Sequence, residues 1–184
     1  MATQRTGTLV TYEDYCNMPD DERYEVIDGE LIMVAAPRRV HQASSRNIST
    51  PLDIYVKANR LGEMYYAPTD VILSDINVVQ PDILFVSNAR SHILVDEGIK
   101  GAPDLVIEIL SPSTAQLDKV RKRELYARFR VPEYWQVDVD DLNVLVLTLA
   151  GDDYETAGIY GLGETLVSPL LPGFALDTDE IFAI

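Results

Sequence analysis

The feature that most constrains this chain is Leu105-Val-Ile-Glu-Ile-Leu110, a run that is apolar on both faces except at Glu108. A strand at a surface alternates apolar with polar residues, so a run like this one has to be covered on both sides. The chain must therefore stack layers above and below a central sheet. An ionised carboxylate inside such a strand is costly, and it persists only when paired, hydrogen-bonded or bound to a metal. The run that dictates a layered fold thus also marks a place where charge is concentrated.

The rest of the chain supplies the layers. Thr11-Tyr-Glu-Asp14 reads as a capping box opening a short helix that ends near Pro19. Tyr24 to Val34 reads as a hairpin turning at Asp28-Gly29. A helical pattern spans Val40 to Arg60, with Pro51 kinking or dividing it. Strand-like runs follow at Glu63–Tyr66, Asp70–Leu73 and Pro81–Val86, and Ser111-Pro-Ser-Thr114 starts a helix running to about Arg130. Glu133–Asp138, Asn143–Leu149, Tyr154–Gly158 and a terminal Leu166–Leu176 region complete the strands, with turns at Asp140–Asn143 and Gly151–Asp153. The expected class is α/β or α+β, a mixed β-sheet with a long helix on either side. The 184 residues amount to one domain, expected over residues 11–184 behind a flexible N-terminus of residues 1–10.

Charge narrows the partners. The net charge is −15, and all 15 Lys and Arg lie at or before Arg130, six of them crowded into Lys119–Arg130. From Val131 to Ile184 there are 11 acidic residues and no basic one. This charge distribution disfavours non-specific, high-affinity duplex binding through a broad basic surface and leaves room for a local phosphate site. The single cysteine, Cys16, leaves no internal disulfide, no apolar run is long enough to span a membrane, and the N-terminus lacks the apolar core of a signal peptide. The expected compartment is the cytoplasm, with no membrane partner. No glycine-rich phosphate loop occurs, and two histidines and one cysteine are too scattered for zinc.

Three acidic positions stand out. Asp82 opens the apolar run Ile83–Val86, Glu108 sits inside its covered strand, and Glu25 is the alternating polar residue of the first strand. Carboxylates converging from neighbouring strands form a hard, oxygen-rich site suited to Mg²⁺ or Mn²⁺. Glu30 reads as a solvated edge residue. At 100° per residue, Asp118, Lys122, Leu125 and Phe129 share one helical face. Leu125 and Phe129 should face the sheet, so Lys122 should too, while Lys119, Arg121, Arg123, Arg128 and Arg130 point into solvent. Near a metal-bound water, the Lys122 ammonium could orient the nucleophile or stabilise charge on a phosphoryl oxygen.

Each residue also has a plainer reading. Asp82 caps a turn, Glu108 and Lys122 form a buried ion pair whose geometry looks the same without metal, and Asp118 salt-bridges Lys122 one turn away. Tyr126 braces the site or fills the core. His41 takes a surface or capping role, His92 and Cys16 none, and Tyr134 and Trp135 serve the core or an interface.

As an ordered set, the motifs resemble the PD-(D/E)XK nuclease superfamily, and most closely its bacterial branch catalogued as a "putative restriction endonuclease" domain of unknown function. The matching stretches are Tyr12–Tyr15, Arg23–Glu30, Gln80-Pro-Asp-Ile-Leu-Phe-Val86, Gly101–Thr114, then Asp118, Lys122, Tyr126 and Val131–Asp138. The likeness runs from about Thr11 to Phe182. It implies a restriction-endonuclease-like fold with a central mixed sheet flanked by helices. It also implies Mg²⁺ (or Mn²⁺) held by Asp82, Glu108 and the backbone carbonyl of Ile109, with Glu25 as the acidic residue such folds supply from their N-terminal part. The family pattern Glu-x-Lys would put lysine at 110, where this chain has Leu110. In this branch the lysine has moved to the following helix, which matches Lys122.

The resulting expectation is a Mg²⁺-dependent endonuclease acting on DNA, pairing as a homodimer through strands after Val131. The alternative from another class is a non-catalytic binding or assembly module that keeps the fold and its acidic pocket, which the net acidity favours. A glycosidase using Asp82 and Glu108 as its acid–base pair ranks last, because that chemistry does not call for a facing lysine.

Overall fold

The computed structural model describes residues 9–19, 23–111 and 117–183, together with the backbone but not the side chains of Leu117 and Asp118. Of the expected flexible N-terminus, residues 1–8 lie outside the described residues, and so do the start of the helix after Glu108 at residues 112–116 and the side chain of Asp118.

Short helix α1 (Tyr12–Cys16) opens on the expected capping box: the Thr11 hydroxyl accepts from the Asp14 amide while the Asp14 carboxylate accepts from the Thr11 amide. Strands β1 (Tyr24–Ile27) and β2 (Glu30–Met33) form the hairpin, closed by Asp28 at φ 51° and Gly29 at φ 72°. A two-residue turn with both φ values positive matches the twist of the flanking strands, and that geometry is what the Asp-Gly pair selects. Helix α2 (Arg39–Asn59) is a single 21-residue helix that carries Pro51 without dividing. Its buried residues His41, Ser44, Ile48, Leu52 and Val56 follow a spacing of three or four, which lays one stripe on the core.

Next come β3 (Gly62–Tyr66), β4 (Val71–Ser74), β5 (Asn77–Val79), β6 (Ile83–Ser87), and the very short β7 (Leu94–Val95) and β8 (Gly98–Lys100). Strand β9 (Leu105–Leu110) is buried at every position, as its two apolar faces require. After it, Leu117–Lys122 winds as a π-helical turn into α3 (Arg123–Arg128). Then follow β10 (Glu133–Asp138), β11 (Asn143–Ala150), β12 (Asp153–Gly161), β13 (Thr165–Val167), β14 (Ala175–Asp177) and α4 (Thr178–Phe182).

The central sheet is mixed, in the order β12-β11-β10-β9-β6-β3, with β9 and β10 parallel and the other pairs antiparallel. One face packs on α2, α4 and the C-terminal strands through Ile83, Phe85, Leu105, Ile107, Ile109, Trp135 and Val137. The other face, carrying Leu84, Val86, Val106 and Tyr134, packs on α3 and on a second six-stranded sheet ordered β2-β1-β5-β4-β8-β7. That second sheet is an addition to the expected architecture. It replaces the second long helix, because α3 has only six residues after its π-helical turn. Phe129 consequently falls beyond the helix and is half-buried, and Tyr126 takes the buried place beside Leu125.

The parallel β9–β10 pair positions the site. Two adjacent parallel strands need a crossover, and a helical crossover packs back on one face of its sheet. This lays the π-turn and α3 over the face of β9 that carries Glu108.

Candidate functional site

Four elements converge at one end of the seam between the two sheets. Glu108 comes from β9 of the central sheet, Glu25 from β1 of the second sheet, and Lys122 from the junction of the π-turn with α3. The Lys122 ammonium lies 2.9 Å from Glu25 Oε1 and 3.0 Å from Glu108 Oε1. All three are buried, at 2% exposure for Glu25, 3% for Glu108 and 4% for Lys122. One cation thus ties the two sheets together through two carboxylates. The helical-face expectation for Lys122 and the expected proximity of Glu25 and Glu108 agree with this placement.

Neighbouring donors hold each carboxylate. The Tyr126 hydroxyl donates to Glu108 Oε1 at 2.6 Å, so this residue both braces the site and fills the core. Burial foremost, and then the Glu108 and Glu25 charges, push the Tyr126 phenol well above its ordinary pKa of 10.0, which keeps it a neutral donor. The backbone amide of Gln80 donates to Glu25 Oε1 at 2.8 Å. The side chain of Gln80 is fixed in turn, accepting from Arg23 and donating to Asp70 Oδ1 and the Tyr15 hydroxyl.

Asp82 precedes β6 rather than opening it, and its Oδ2 accepts the backbone amide of Ile109 at 2.8 Å. In a strand the N–H and C=O of one residue project to the same edge. The carbonyl of Ile109 therefore lies on the Asp82 side, as the expectation for that residue requires. Asp82 Oδ2 also lies 3.1 Å from His41 Nε2, and the Asp82 side chain is 17% exposed.

That contact corrects the reading of His41, which is neither a surface nor a capping residue. It is buried in the first turn of α2, and among the described residues its Nδ1 and the Ser44 hydroxyl are buried without a hydrogen-bond partner. The signal that could have found it is the spacing of His41, Ser44, Ile48, Leu52 and Val56, which puts His41 on the apolar stripe.

Apart from Lys122, the cations of Lys119–Arg130 stand at the surface as expected, and each also meets an acid. Lys119 pairs with Asp138, Arg121 with Glu30, Arg123 with Asp153, Arg128 with Asp28 and Arg130 with Asp152. Glu30 is exposed as expected, but it is one half of such a pair.

A cavity of about 320 Å³ joins these groups, lined by Glu25, Asp82, Glu108, Lys122, His41 and Ile109 on one side. The segment from Ile32 to Pro37 lines it on another, and Arg23 and Arg38 reach it as well.

The donor set fits a hard divalent cation. Three carboxylates line one cavity: Glu25 and Glu108 share Lys122, and Asp82 lies beside His41. No three His, Cys, Asp or Glu side chains among the described residues are gathered as a complete metal site.

The fold is that of the restriction-endonuclease-like proteins. A family model described as "putative restriction endonuclease", the Uma2 family, matches residues 9–179, and the chain belongs to that family. The structure is similar, at a TM-score of 0.79 and 21% identity, to a crystal structure from Anabaena variabilis described as "a putative nuclease belonging to DUF820", covering 95% of this chain and 98% of that one. No curated protein matches the chain. No helix among the described residues is long and apolar enough to cross a membrane.

Proposed function

We propose that the chain is a metal-dependent endonuclease that hydrolyses phosphodiester bonds in DNA, with residues 11–184 forming the single domain that carries the site. The observation that carries this reading is the meeting of Asp82, Glu108 and Lys122 around one cavity. These are the residue types, in the chain order, of a PD-(D/E)XK site whose lysine has migrated to the next helix. Membership in the "putative restriction endonuclease" family supports the same conclusion.

In this reading Asp82, Glu108 and the Ile109 carbonyl would hold Mg²⁺ or Mn²⁺. Bound there, the ion supplies Lewis acidity toward a phosphoryl oxygen and lowers the pKa of a coordinated water. The chain's own groups do the rest. Tyr126 and the Ile109 amide fix the two carboxylates, and His41 contacts the same Oδ2 of Asp82. Lys122 presents a fixed ammonium beside the reacting position, where it orients the attacking water and offsets charge developing on the phosphoryl oxygens. Glu25 keeps Lys122 in place through its 2.9 Å contact. A homodimer belongs only to the version of this reading in which both strands of a duplex are cut.

The test joins calorimetric titration of Mn²⁺ and Mg²⁺ with cleavage assays on supercoiled plasmid and single-stranded DNA, using wild type, Asp82→Ala and Lys122→Met. Wild type should bind metal and cut. Asp82→Ala should lose both properties, and Lys122→Met should lose cleavage while still binding metal. Wild-type cleavage rates in Lys122→Met would sink its assignment. A wild type that binds no metal at millimolar concentration makes the buried triad structural. The reading would then become the non-catalytic binding module, which the complete pairing of Lys122 by two carboxylates also accommodates.

A further inference from the structure

We propose that the DNA taken by this cavity is single-stranded, with an unpaired nucleotide lying against the apolar wall formed by Ile32 to Pro37. The inference rests on the nuclease reading of the same cavity and names its substrate class. Three observations carry it.

The first is depth. Glu25, Glu108 and Lys122 are all but sealed from solvent, and the way to them is the cavity that Asp82 borders. A duplex carries its phosphates on the outside of a stiff rod that cannot itself enter a cavity of about 320 Å³. A single strand bends its backbone freely and can turn one phosphate inward.

The second is charge. Duplex affinity comes mainly from many Lys and Arg side chains that neutralise phosphates and release counterions. Here the densest basic segment, Lys119–Arg130, is matched cation by cation with acids. Among the described residues lining the cavity, the Lys and Arg side chains other than Lys122 are Arg23, hydrogen-bonded to Gln80, and Arg38, half-exposed and paired with Asp140. Two guanidinium groups suit the backbone of a short strand better than the long phosphate track of a duplex.

The third is the wall. Ile32-Met-Val-Ala-Ala-Pro37 is six apolar residues in succession, and Met33 is 63% exposed. Exposed apolar surface directly beside buried carboxylates is an odd boundary for a double helix, which offers phosphate and sugar to what it meets. It is a suitable one for a base or deoxyribose released from stacking, whose flat apolar face needs cover.

The experiment measures anisotropy of a labelled oligonucleotide, alone and annealed to its complement, with Ca²⁺ in place of Mg²⁺. Cleavage of the same two substrates in Mg²⁺ follows. The single strand should bind at least about tenfold more tightly than the duplex, and Met33→Glu should weaken single-strand binding by about tenfold, the scale of one lost base contact. Ile54→Glu, which alters an equally exposed apolar residue of α2 that does not line the cavity, controls for added negative charge and should bind as wild type does. Preferential single-strand binding without cleavage keeps this inference and overturns the nuclease reading. Equal or tighter duplex binding, no DNA binding at all, or a Met33→Glu variant indistinguishable from wild type overturns the inference, whatever the cleavage assay shows.

Discussion

Two buried glutamates on adjacent strands of the central sheet lead opposite lives. Glu108 on β9 faces the second sheet and meets a cation, a phenol and a cavity. Glu133 on β10 faces the other way, into the core beneath the C-terminal strands. It accepts from Trp135 Nε1 at 2.7 Å, the Ser168 hydroxyl at 2.6 Å and the Leu170 amide at 2.8 Å. Burial pushes the Glu133 carboxyl up from its ordinary value of 4.5, and those three donors only partly offset it. A buried carboxylate satisfied by neutral donors in a closed core fastens one segment to another, here the chain around Ser168 to β10. A buried carboxylate that shares a lysine with a second carboxylate and borders open space is the one the proposed function sets to work on a ligand. What separates the two is the kind of partner each has and its access to a cavity, since both are equally hidden.

The comparison breaks most visibly in activity. Glu108→Gln keeps the shape and removes the charge, and it should lower DNA cleavage by at least about a hundredfold, the scale of losing one electrostatic element of an active site. Glu133→Gln, an equally isosteric change, should cut at close to the wild-type rate. Cleavage assays on single-stranded DNA with the pair decide it. Equal losses in both would mean that Glu108 matters only through folding.

Stability sharpens the contrast. Lys122→Met strands two carboxylates in a buried seam, and breaking a buried pair in this way costs about 3–5 kcal/mol. Glu133→Ala leaves three buried donors without their acceptor, and each unsatisfied group costs about 1–3 kcal/mol unless water reaches it. The two variants should therefore be comparably destabilised in urea unfolding. They should differ in their response to ligand. Millimolar Mg²⁺ should restore part of the loss in Lys122→Met, because a cation bound between the carboxylates replaces the ammonium's charge. It should do nothing for Glu133→Ala, and identical Mg²⁺ responses would erase the distinction.

Much of this arrangement was legible in the residues, and the parts that were not share a cause. The hairpin turn at Asp28-Gly29, the capping box at Thr11 and the covered strand around Glu108 are local patterns, and local geometry decides them. Lys122 was legible because it shares a helical face with Leu125, an apolar residue that has to turn toward the sheet. The second sheet was not, since β5, β7 and β8 are two or three residues long, too short for any periodicity to register. Nor were the partners of the basic segment: Asp28, Glu30 and Asp153 lie far off in sequence and are brought near only by the packing of β1, β2 and β12 around α3. Glu133 read as an ordinary first residue of a strand because its donors Ser168 and Leu170 arrive from a loop 35 and 37 residues later.

The smallest effect expected is the most specific to Glu133, and it compares the two ends of β10. Because burial raises the folded-state pKa of Glu133, the native protein holds that proton to a higher pH than the unfolded chain does. Its contribution is therefore fully present below the unfolded value, near 4.5, and is lost as the pH rises through the folded value. Asp138, at the far end of the strand, has the opposite sign. Burial acts to raise its carboxyl, but the Lys119 ammonium and the Asp140 and Asp141 amides outweigh that and hold it below its ordinary 3.8. Its contribution is present above the unfolded value and lost as the pH falls through the folded one. The stability difference between wild type and Glu133→Gln should thus shrink as the pH rises from about 4, whereas that between wild type and Asp138→Asn should grow over the acid range. Urea midpoints measured across that range for the three proteins give both slopes. A flat difference for Glu133→Gln would mean that water reaches its carboxylate, and the sealed node would then differ from the Glu108 site in its partners alone.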